Sequence, residues 1–240
     1  GGGGAGGDNS GSAGTAGTAN TGGGGGGGGY INGDGAAGGS GIVVISYTNT
    51  VPGTSSIAFD GTGDYLTVPN SPVWDFGTSA FTFELWVKAS SSLSVNSQLI
   101  SLYSGFNSFI RIMANGHLQM RVGAGNSSQA DAGTSGADIA DDTWHHVAAV
   151  RASATSLQVY LDGTLDHEAT VSSADVQTSG VLTIGAHSDG SEEFDSGYLD
   201  EIRISNIARY SGTFTPSTTQ FTADANTMLL IHSDWDGGLG

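Results

Sequence analysis

The sequence predicts an all-β protein: a two-sheet antiparallel β-sandwich preceded by a glycine-rich extended region that resembles polyglycine II. Glycine is concentrated at the start, where the first 41 of the 240 residues hold 22 of the 41 glycines. From Ile57 onward, short runs of alternating apolar and polar residues are separated by turn residues. No segment sustains the 3.6-residue apolar period of an amphipathic helix, and short strands at this spacing favour a sandwich.

Residues 1–47 are predicted to form a glycine-rich stalk that ends in an apolar strand. Glycine recurs at every third position of residues 11–17, and residues 22–29 are an unbroken glycine run. Two interpretations stay open: a flexible linker, or extended three-fold polyglycine-II helices that pack side by side because glycine has no side chain to separate them. Small residues at the other positions and the abrupt apolar segment 42–47 favour the packed form.

The remaining chain is predicted to divide into three parts. Residues 48–56 form a linker, residues 57–232 form the β-sandwich with a C-terminal connector, and residues 233–240 begin a following segment or module. The chain opens inside a glycine tract and stops at Gly-Gly-Leu-Gly, so we expect both ends to be cuts through a longer polypeptide.

Two turn signals and one alternating run support the strand predictions. Residues 81–88 place Phe, Phe, Leu and Val on one face of a strand and Thr, Glu, Trp and Lys on the other. Asn-Gly at 115–116 and Asp-Gly at 162–163 each separate two strand-like runs. Both dipeptides predict tight hairpins, because such turns require positive φ.

The charge balance excludes several classes of partner. The formal net charge is −17, there are only six Lys and Arg residues, and the first of them is Lys88. A surface this acidic repels phosphate backbones and anionic lipid headgroups, so we expect neither nucleic-acid binding nor membrane insertion. The absence of Cys excludes disulfides, thiol catalysis and Cys-ligated zinc. No apolar run approaches the length of a membrane span, and no signal peptide is visible.

Seven short segments stand in the order found in one known family. They are residues 57–61, 64–69, 81–87, 144–148, 159–163, 184–186 and 197–205. Together they resemble the laminin-G/pentraxin-like branch of the concanavalin A-like sandwiches, over residues 57–210. Each segment is weak alone, but the set in order is specific, and the resemblance implies a concanavalin A-like jelly roll.

Two further segments resemble phage proteins. Residues 208–232 resemble the segment that links tandem modules in structural proteins of marine phages, and residues 39–47 resemble phage tail-fibre and adhesin segments. The resemblance implies a non-catalytic module of a virion tail fibre or appendage that binds host surface glycan. It would assemble with other virion or fibre subunits, as a homo-oligomer such as a trimer. Two alternatives remain. One is a purely structural virion or fibre module without a ligand, and the other is an extracellular module of a bacterial surface adhesin or secreted protein.

Loop carboxylates predict a calcium site, because calcium takes six to eight hard oxygen ligands and tolerates irregular loops. The candidate ligands are Asp60, Asp64, Asp189, Glu192, Asp195 and Asp200. The pentraxin resemblance implies a ligand role for the acid at Asp189, and we expect Asp200 to lie near the loop that holds Asp60. The alternative is that Asp60 and Asp64 cap turns and that the acids of 189–195 are only solvated.

Aromatic residues in turns are the candidate sugar platforms. Trp74, Tyr103 and Phe106 lie in or beside predicted loops, and each could also belong to the core. Trp74 is the favoured platform, because it follows Pro72 in a turn-rich segment where a large ring is seldom fully buried.

No catalytic pattern is present in the sequence, so we predict that the protein is not an enzyme. His145 and His146 point to opposite faces of a strand and cannot chelate together, and we expect Trp144 and His146 to pack. The paired acids of the laminarinase-type strand motif are missing, as are a nucleophile elbow and a phosphate-binding loop.

Overall fold

The computed structural model describes most of the chain from residue 55 onward and short segments before it. The described residues are 3–7, 12–18, 23–28, 34–38, 43–45, 55–102, 108–123, 129–131, 136–171, 176, 181–187 and 190–233. The strands found in them are β1 (Val43–Ile45), β2 (Ile57–Phe59), β3 (Leu66–Val68), β4 (Phe81–Ala89), β5 (Ser97–Leu102), β6 (Ser108–Ile112), β7 (Leu118–Arg121), β8 (Gln129–Asp131), β9 (His145–Ser153), β10 (Ser156–Leu161), β11 (Thr164–Thr170), β12 (Leu182–Ile184), β13 (Gly197–Ser205) and β14 (Thr227–Ile231). A single 3₁₀ turn spans Pro72–Trp74. Within these described residues no helix has the length and apolar character of a transmembrane span.

The chain forms two compact units. The first contains residues 1–45 and 222–230, and the second contains residues 46–221 and 231–240. Residues 222–230 therefore group with the glycine-rich region, although the sequence prediction assigned them to the sandwich. The predicted linker, residues 48–56, and the predicted following segment, residues 233–240, lie mostly outside the described residues.

In the first unit, the glycine-rich segments are joined by main-chain hydrogen bonds. Gly4 and Gly7 donate to the carbonyl oxygens of Gly24 and Gly27, at 2.8 Å each. The two hydrogen-bonded residues are therefore three positions apart on each segment. A spacing of three is the period of a three-fold extended helix. The segments 12–18 and 34–38 are joined in the same way, by donation from Gly14 to Asp34 and from Gly17 to Ala37. This is the packed arrangement that the glycine spacing favours.

The segment 23–28 bonds to all three of the other described glycine-rich segments. Gly26 is buried, donates to the carbonyl of Thr15 and accepts from the amide of Ala36, each at 2.9 Å. A Cβ atom at Gly26 would lie 1.9 Å from the carbonyl oxygen of Ala5. The close approach of the backbones therefore requires glycine at this position.

Substitution of Gly26 tests whether backbone contact holds this unit. We expect Gly26→Ala to separate the segments, because the new methyl group would overlap the carbonyl of Ala5. Hydrogen exchange by NMR should show faster exchange of the Thr15 and Ala36 amides. Gly27→Ala is the matched control, since a Cβ there meets no atom within 4 Å. Equal protection in both variants would contradict the packed arrangement.

In the second unit, two antiparallel sheets form a sandwich. One sheet, sheet A, has the order β13-β4-β9-β10-β11, with β2 also paired to β13. The other, sheet B, has the order β3-β12-β5-β6-β7-β8. The apolar side chains that alternate along β4 and β9 are buried between the sheets. The predicted antiparallel sandwich is therefore confirmed.

Both predicted hairpins are confirmed. β6 and β7 pair across a turn in which Gly116 has φ of 80°, and β10 pairs with β11 across Asp162 and Gly163, with φ of 48° and 79°. Positive φ at both central residues is the backbone of the tight turn that Asp-Gly predicts.

The outer face of sheet A is covered by the chain that follows β13. Tyr210 and Phe214 stack with ring centroids 3.6 Å apart and pack on Ala148, Val150 and Tyr160 of β9 and β10. The polar face predicted for β4 is thus turned away from the sandwich core but is covered by aromatic rings. A polar side chain there must find partners beneath this cover.

Glu84 is the buried carboxylate under this cover. It is fully buried and accepts hydrogen bonds from Arg203 Nε at 2.7 Å and from the Tyr210 hydroxyl at 2.6 Å. His146 Nε2 lies 3.4 Å away. Burial acts to raise the pKa of Glu84, but the contacts from His146, Arg203 and Tyr210 outweigh it and hold the pKa below its ordinary value. Burial and the charge of Glu84 raise the pKa of Tyr210.

We expect Glu84→Gln to destabilise the fold by about 3 kcal/mol at pH 7, since it leaves Arg203 buried without its counter-charge. Because the folded-state pKa of Glu84 is depressed, its contribution is present above its unfolded-state pKa of about 4.3 and is lost as pH falls through the folded-state value. The loss should therefore shrink in acid, as measured by urea unfolding between pH 3 and pH 7.

The control for this variant is the same substitution at an exposed carboxylate. Glu168 on β11 is exposed and bonds only to the side chains of Ser156 and Gln158. We expect Glu168→Gln to change stability by less than about 0.5 kcal/mol. A loss for Glu84→Gln that is equal at all pH values would show that the charge of Glu84 is not the cause.

Candidate functional site

A cleft of about 320 Å³ lies on the outer face of sheet A. Its walls come from β4 and β13, from the residues just before β2 and β9, and from the chain that covers the sheet. The lining residues are Ser55, Ser56, Trp86, Trp144, Asp200, Glu201 and Ser217–Gln220. We call it the tryptophan cleft.

A β-bulge in β13 places the acids of the cleft. Asp200 pairs with Trp86 and Arg203 pairs with Glu84, so three steps on β13 match two on β4. Glu201 takes up the extra residue with a φ of 49°, in the left-handed region. The bulge lets Asp200 and Arg203 face the same side of the sheet, where strict alternation would put them on opposite sides.

Two tryptophans form the apolar part of the cleft. Trp86 is held in place, because its Nε1 donates to the carbonyl of Ser217 at 3.3 Å and its ring meets His146 edge-on at 5.5 Å. Trp144 is 40% exposed and lies 6.5 Å, centroid to centroid, from Tyr198, which is 43% exposed. Among the described residues, neither the side chain of Trp144 nor that of Tyr198 has a hydrogen-bond partner. Exposed rings of this size at a cleft are typical of a contact surface.

The two carboxylates of the cleft differ in how many of their oxygens accept hydrogen bonds from the protein. Glu201 accepts from His232 Nδ1 at 2.7 Å and from the amide of Phe221 at 2.6 Å, so both of its oxygens are engaged. Burial raises the pKa of Glu201, against the opposing effect of these two partners. Asp200 accepts through Oδ1 from the Glu201 amide at 2.7 Å and from the Ser233 hydroxyl.

The second oxygen of Asp200, Oδ2, takes no hydrogen bond from the described part of the chain. It is therefore available to accept from a ligand. The cleft thus combines flat apolar rings, a carboxylate oxygen ready to accept hydrogen bonds and the hydroxyls of Ser and Thr residues at 217–219. This arrangement suits a small polar molecule with an apolar face and several hydroxyl groups.

The predicted metal ligands fall in two separate places. The pairing of β2 with β13 sets Gly197 opposite Phe59 and Leu199 opposite Ile57, so Asp60 and Asp200 lie beyond opposite ends of the paired segment. The expectation that Asp200 lies near the Asp60 loop is therefore wrong. The bulged end of β13 points Asp200 into the tryptophan cleft instead.

The carboxylates near Asp60 are engaged with backbone amides. Asp60 accepts from Thr62 at 2.9 Å, Asp64 from Asp60 at 3.0 Å, Glu193 from Gly63 at 2.8 Å and Asp195 from Ser94 at 3.3 Å. These bonds for Asp60 and Asp64 are the turn caps that the alternative prediction describes. Among the described residues, no three acidic or histidine side chains are placed to hold a metal ion. The predicted ligand Asp189 lies outside the described residues, so the calcium site stays a prediction.

Glu192 is an ion-pair partner. Its Oε2 lies 2.9 Å from Arg111 Nη1 and accepts from Gln98 Nε2 at 2.6 Å. A φ of 46° holds its backbone in the left-handed region. One oxygen of this carboxylate therefore pairs with a neighbouring cation, so the side chain is not purely solvated, and its role as a metal ligand stays a prediction.

Of the three aromatic residues predicted as sugar platforms, Trp74 lies in the described part of the chain. Trp74 is only 2% exposed and its Nε1 donates to the carbonyl of Pro69 at 3.4 Å, so its ring cannot offer a face to a ligand. The prediction that Trp74 is the platform is wrong, because the 3₁₀ turn folds its ring into the core. Tyr103 and Phe106 lie outside the described residues.

The histidine prediction is confirmed in part. His145 bonds to Asp162 at 2.7 Å, whereas His146 is fully buried on the other face of β9. His146, Ala148 and Val150 pack as expected, but Trp144 does not join them and is exposed. Sequence reasoning thus missed Trp86, Trp144 and Tyr198. The usable signal was Trp86 on the polar face of β4, where a large apolar ring needs either a cover or a ligand.

The two stacked antiparallel sheets define a concanavalin A-like jelly-roll domain. A profile of the Laminin_G_3 family, described as the concanavalin A-like lectin/glucanases superfamily, matches residues 60–212. The chain belongs to this family, which confirms the resemblance seen in the sequence. No curated protein matches the chain.

Two solved structures share the fold. A protein of Bacteroides ovatus ATCC 8483, provisionally assigned as carbohydrate binding, matches with a TM-score of 0.58 and 16% identity, over 83% of this chain and 54% of that one. The CBM40 of the Ruminococcus gnavus IT-sialidase, bound to α2,3-sialyllactose, matches with a TM-score of 0.52 and 14% identity, over 65% of this chain and 92% of that one. The chain thus spans about half the length of the B. ovatus protein. At these identities the likeness concerns the fold.

Proposed function

We propose that the protein is a non-catalytic carbohydrate-binding module and that the tryptophan cleft is its sugar site. The observation that carries the proposal is the exposed ring of Trp144 beside a carboxylate oxygen of Asp200 that no described residue engages. A pyranose ring has an apolar face that stacks on an indole and hydroxyls that donate to a carboxylate. The two similar structures, one provisionally assigned as carbohydrate binding and one bound to sialyllactose, support this function.

The chemistry of the cleft supports binding over catalysis. Hydrolysis of a glycosidic bond requires two carboxyl groups on opposite sides of that bond. Asp200 and Glu201 are neighbours on β13, and both oxygens of Glu201 are engaged by His232 and the Phe221 amide. The cleft can thus hold a saccharide, while its acids are placed to accept hydrogen bonds.

We further propose that the module serves adhesion to host surface glycan, as part of a virion tail fibre or appendage. The glycine-rich region supports this proposal, because residues 39–47 resemble phage tail-fibre and adhesin segments. Several copies on one fibre, as in a trimer, would strengthen weak binding through multivalency. An extracellular adhesin of a bacterium is the second setting that the same chemistry serves.

Substitution of Trp144 tests the sugar site. We expect Trp144→Ala to weaken binding of a recognised glycan roughly ten-fold or more, because it removes the stacking surface. The melting temperature should change little, since Trp144 is 40% exposed. Tyr65→Ala is the matched control, as Tyr65 is an exposed ring, 45% accessible, outside the cleft. Equal glycan binding by both variants, measured by isothermal titration calorimetry, would remove the cleft as the site.

A glycan array separates binding from a purely structural role. We expect the full chain to bind at least one class of glycan, and the signal to be reduced by Asp200→Asn. The array should be run with calcium and with EDTA, because we also propose that the loop at 186–195 binds calcium through Asp189. A bound ion would also raise the melting temperature with calcium concentration. An array without any bound glycan in either condition would favour the structural module.

A further inference from the structure

Two arginines lie together on the outer face of sheet B, on the opposite side of the sandwich from the tryptophan cleft. Phe109 on β6 pairs with Arg121 on β7, and Arg111 lies two residues along β6, so all three share one face. The guanidinium carbons of Arg111 and Arg121 lie 4.9 Å and 5.8 Å from the centroid of the Phe109 ring. Two like charges are thus held over one ring.

Arg111 and Arg121 differ from the other arginines of the chain in what surrounds them. Of the six Lys and Arg residues in a chain of net charge −17, Arg203 and Arg209 lie at the buried carboxylate of Glu84. Arg151 donates to the carbonyls of Gly77, Ser153 and Ala154. These three cations serve the fold, whereas Arg111 and Arg121 line a cavity.

The cavity has a volume of about 150 Å³. Its lining residues are Phe109, Arg111, Arg121, His187, Ser191 and Glu192. At roughly 30 Å³ per water molecule, it holds about five waters, or one small polar group with a part of the ring that carries it. Among the described residues of the lining, Glu192 is the single carboxylate, so within this set two guanidinium groups face one countercharge and an excess charge of one remains.

Arg121 lacks a partner for a buried donor. Its Nε is inaccessible to solvent and forms no hydrogen bond, while Arg111 donates through Nε to Gln119 at 2.7 Å and through Nη1 to Glu192 at 2.9 Å. Burial, and then the charge of Arg111, lower the pKa of Arg121. A buried guanidinium nitrogen without an acceptor costs stability. Arg121 also lines the cavity, where an incoming anion would pair with the rest of its guanidinium group.

The same face of sheet B carries further donors without acceptors. Ser101 pairs with Phe109 across β5 and β6, and Thr183 pairs with Ser101 across β12 and β5. The hydroxyls of both residues are buried without a hydrogen-bond partner. The side-chain oxygen of Gln98, which pairs with Arg111 across β5 and β6, is also buried without a partner, so unsatisfied polar groups of both kinds lie along this face.

We propose that Arg111 and Arg121 form a second ligand site, which binds the carboxylate group of an acidic sugar such as a uronic acid. A guanidinium edge matches a planar carboxylate with two parallel hydrogen bonds. The excess charge of one suits a singly charged group, and the cavity admits a carboxylate with part of its ring. That this site binds a carboxylate follows from the geometry alone. That the carboxylate belongs to a sugar rests on the proposed carbohydrate-binding function.

The experiment titrates the full chain with sodium glucuronate, sodium acetate and glucose, with binding followed by NMR shifts of the Arg121 and Ser191 amides. We expect glucuronate and acetate to bind and glucose to leave these signals unchanged. Arg121→Met keeps the length of the side chain over Phe109 but removes the charge and the donors. It should weaken glucuronate binding about ten-fold or more, since it removes a charge-assisted hydrogen bond.

Two controls keep the result interpretable. Without ligand, Arg121→Met should melt at the same temperature as the parent protein or higher, because Arg121 has an unsatisfied buried donor. Lys88→Ala removes one positive charge on β4 of sheet A and should leave glucuronate binding unchanged. Trp144→Ala should also keep it, which separates this site from the sugar site of the tryptophan cleft.

Three outcomes would overturn the proposal or part of it. Absence of binding by both glucuronate and acetate, or equal binding by Arg121→Met, removes the carboxylate site. Binding of acetate without glucuronate removes the sugar as the source. If sedimentation velocity then shows self-association that Arg121→Met abolishes, the carboxylate belongs to a second copy of the chain and the sugar claim is wrong.

Discussion

The buried carboxylate of Glu84 is the constraint on which the face that holds the tryptophan cleft depends. Arg203 and Tyr210 both donate to it, and Tyr210 stacks on Phe214 in the chain that covers sheet A. That chain continues to Ser217, whose carbonyl receives the Trp86 indole and whose neighbours form one wall of the tryptophan cleft. The covering chain therefore converts the outer face of a flat sheet into a pocket. A buried charge is costly, and here the cost is offset by donors from two separate elements.

The sequence predicted the sheet architecture well because local patterns decide it. Alternation along residues 81–88 fixed which side chains face the core, and the Asp-Gly and Asn-Gly dipeptides located two hairpins. The packing of the glycine segments also followed from spacing, since only glycine tolerates backbones this close. The order of the seven family segments along the chain predicted the topology of the sheets, which no local pattern contains.

The binding face could not be predicted from the same patterns. The bulge at Glu201 changes which residues share a face, and no propensity marks its position in Gly-Tyr-Leu-Asp-Glu. Trp74 was misassigned because a turn-rich segment was equated with exposure, whereas its 3₁₀ turn directs the ring inward. Trp144 was taken as a packing residue because alternation was extended one step beyond the start of β9. The two arginines of sheet B acquire meaning only from their pairing across β6 and β7.

The glycine-rich unit differs from the sandwich in how its stability should vary with temperature. Its described segments are joined by main-chain hydrogen bonds, and most of their residues carry no side chain or only a methyl group. Separating these glycine-rich segments exposes little apolar surface, so the heat-capacity change per residue of this step should be small and its stability curve flat. The hydrophobic contribution that weakens on cooling is largely missing from these segments. Segments joined in this way would stay packed in the cold, under conditions where an apolar core begins to lose its advantage.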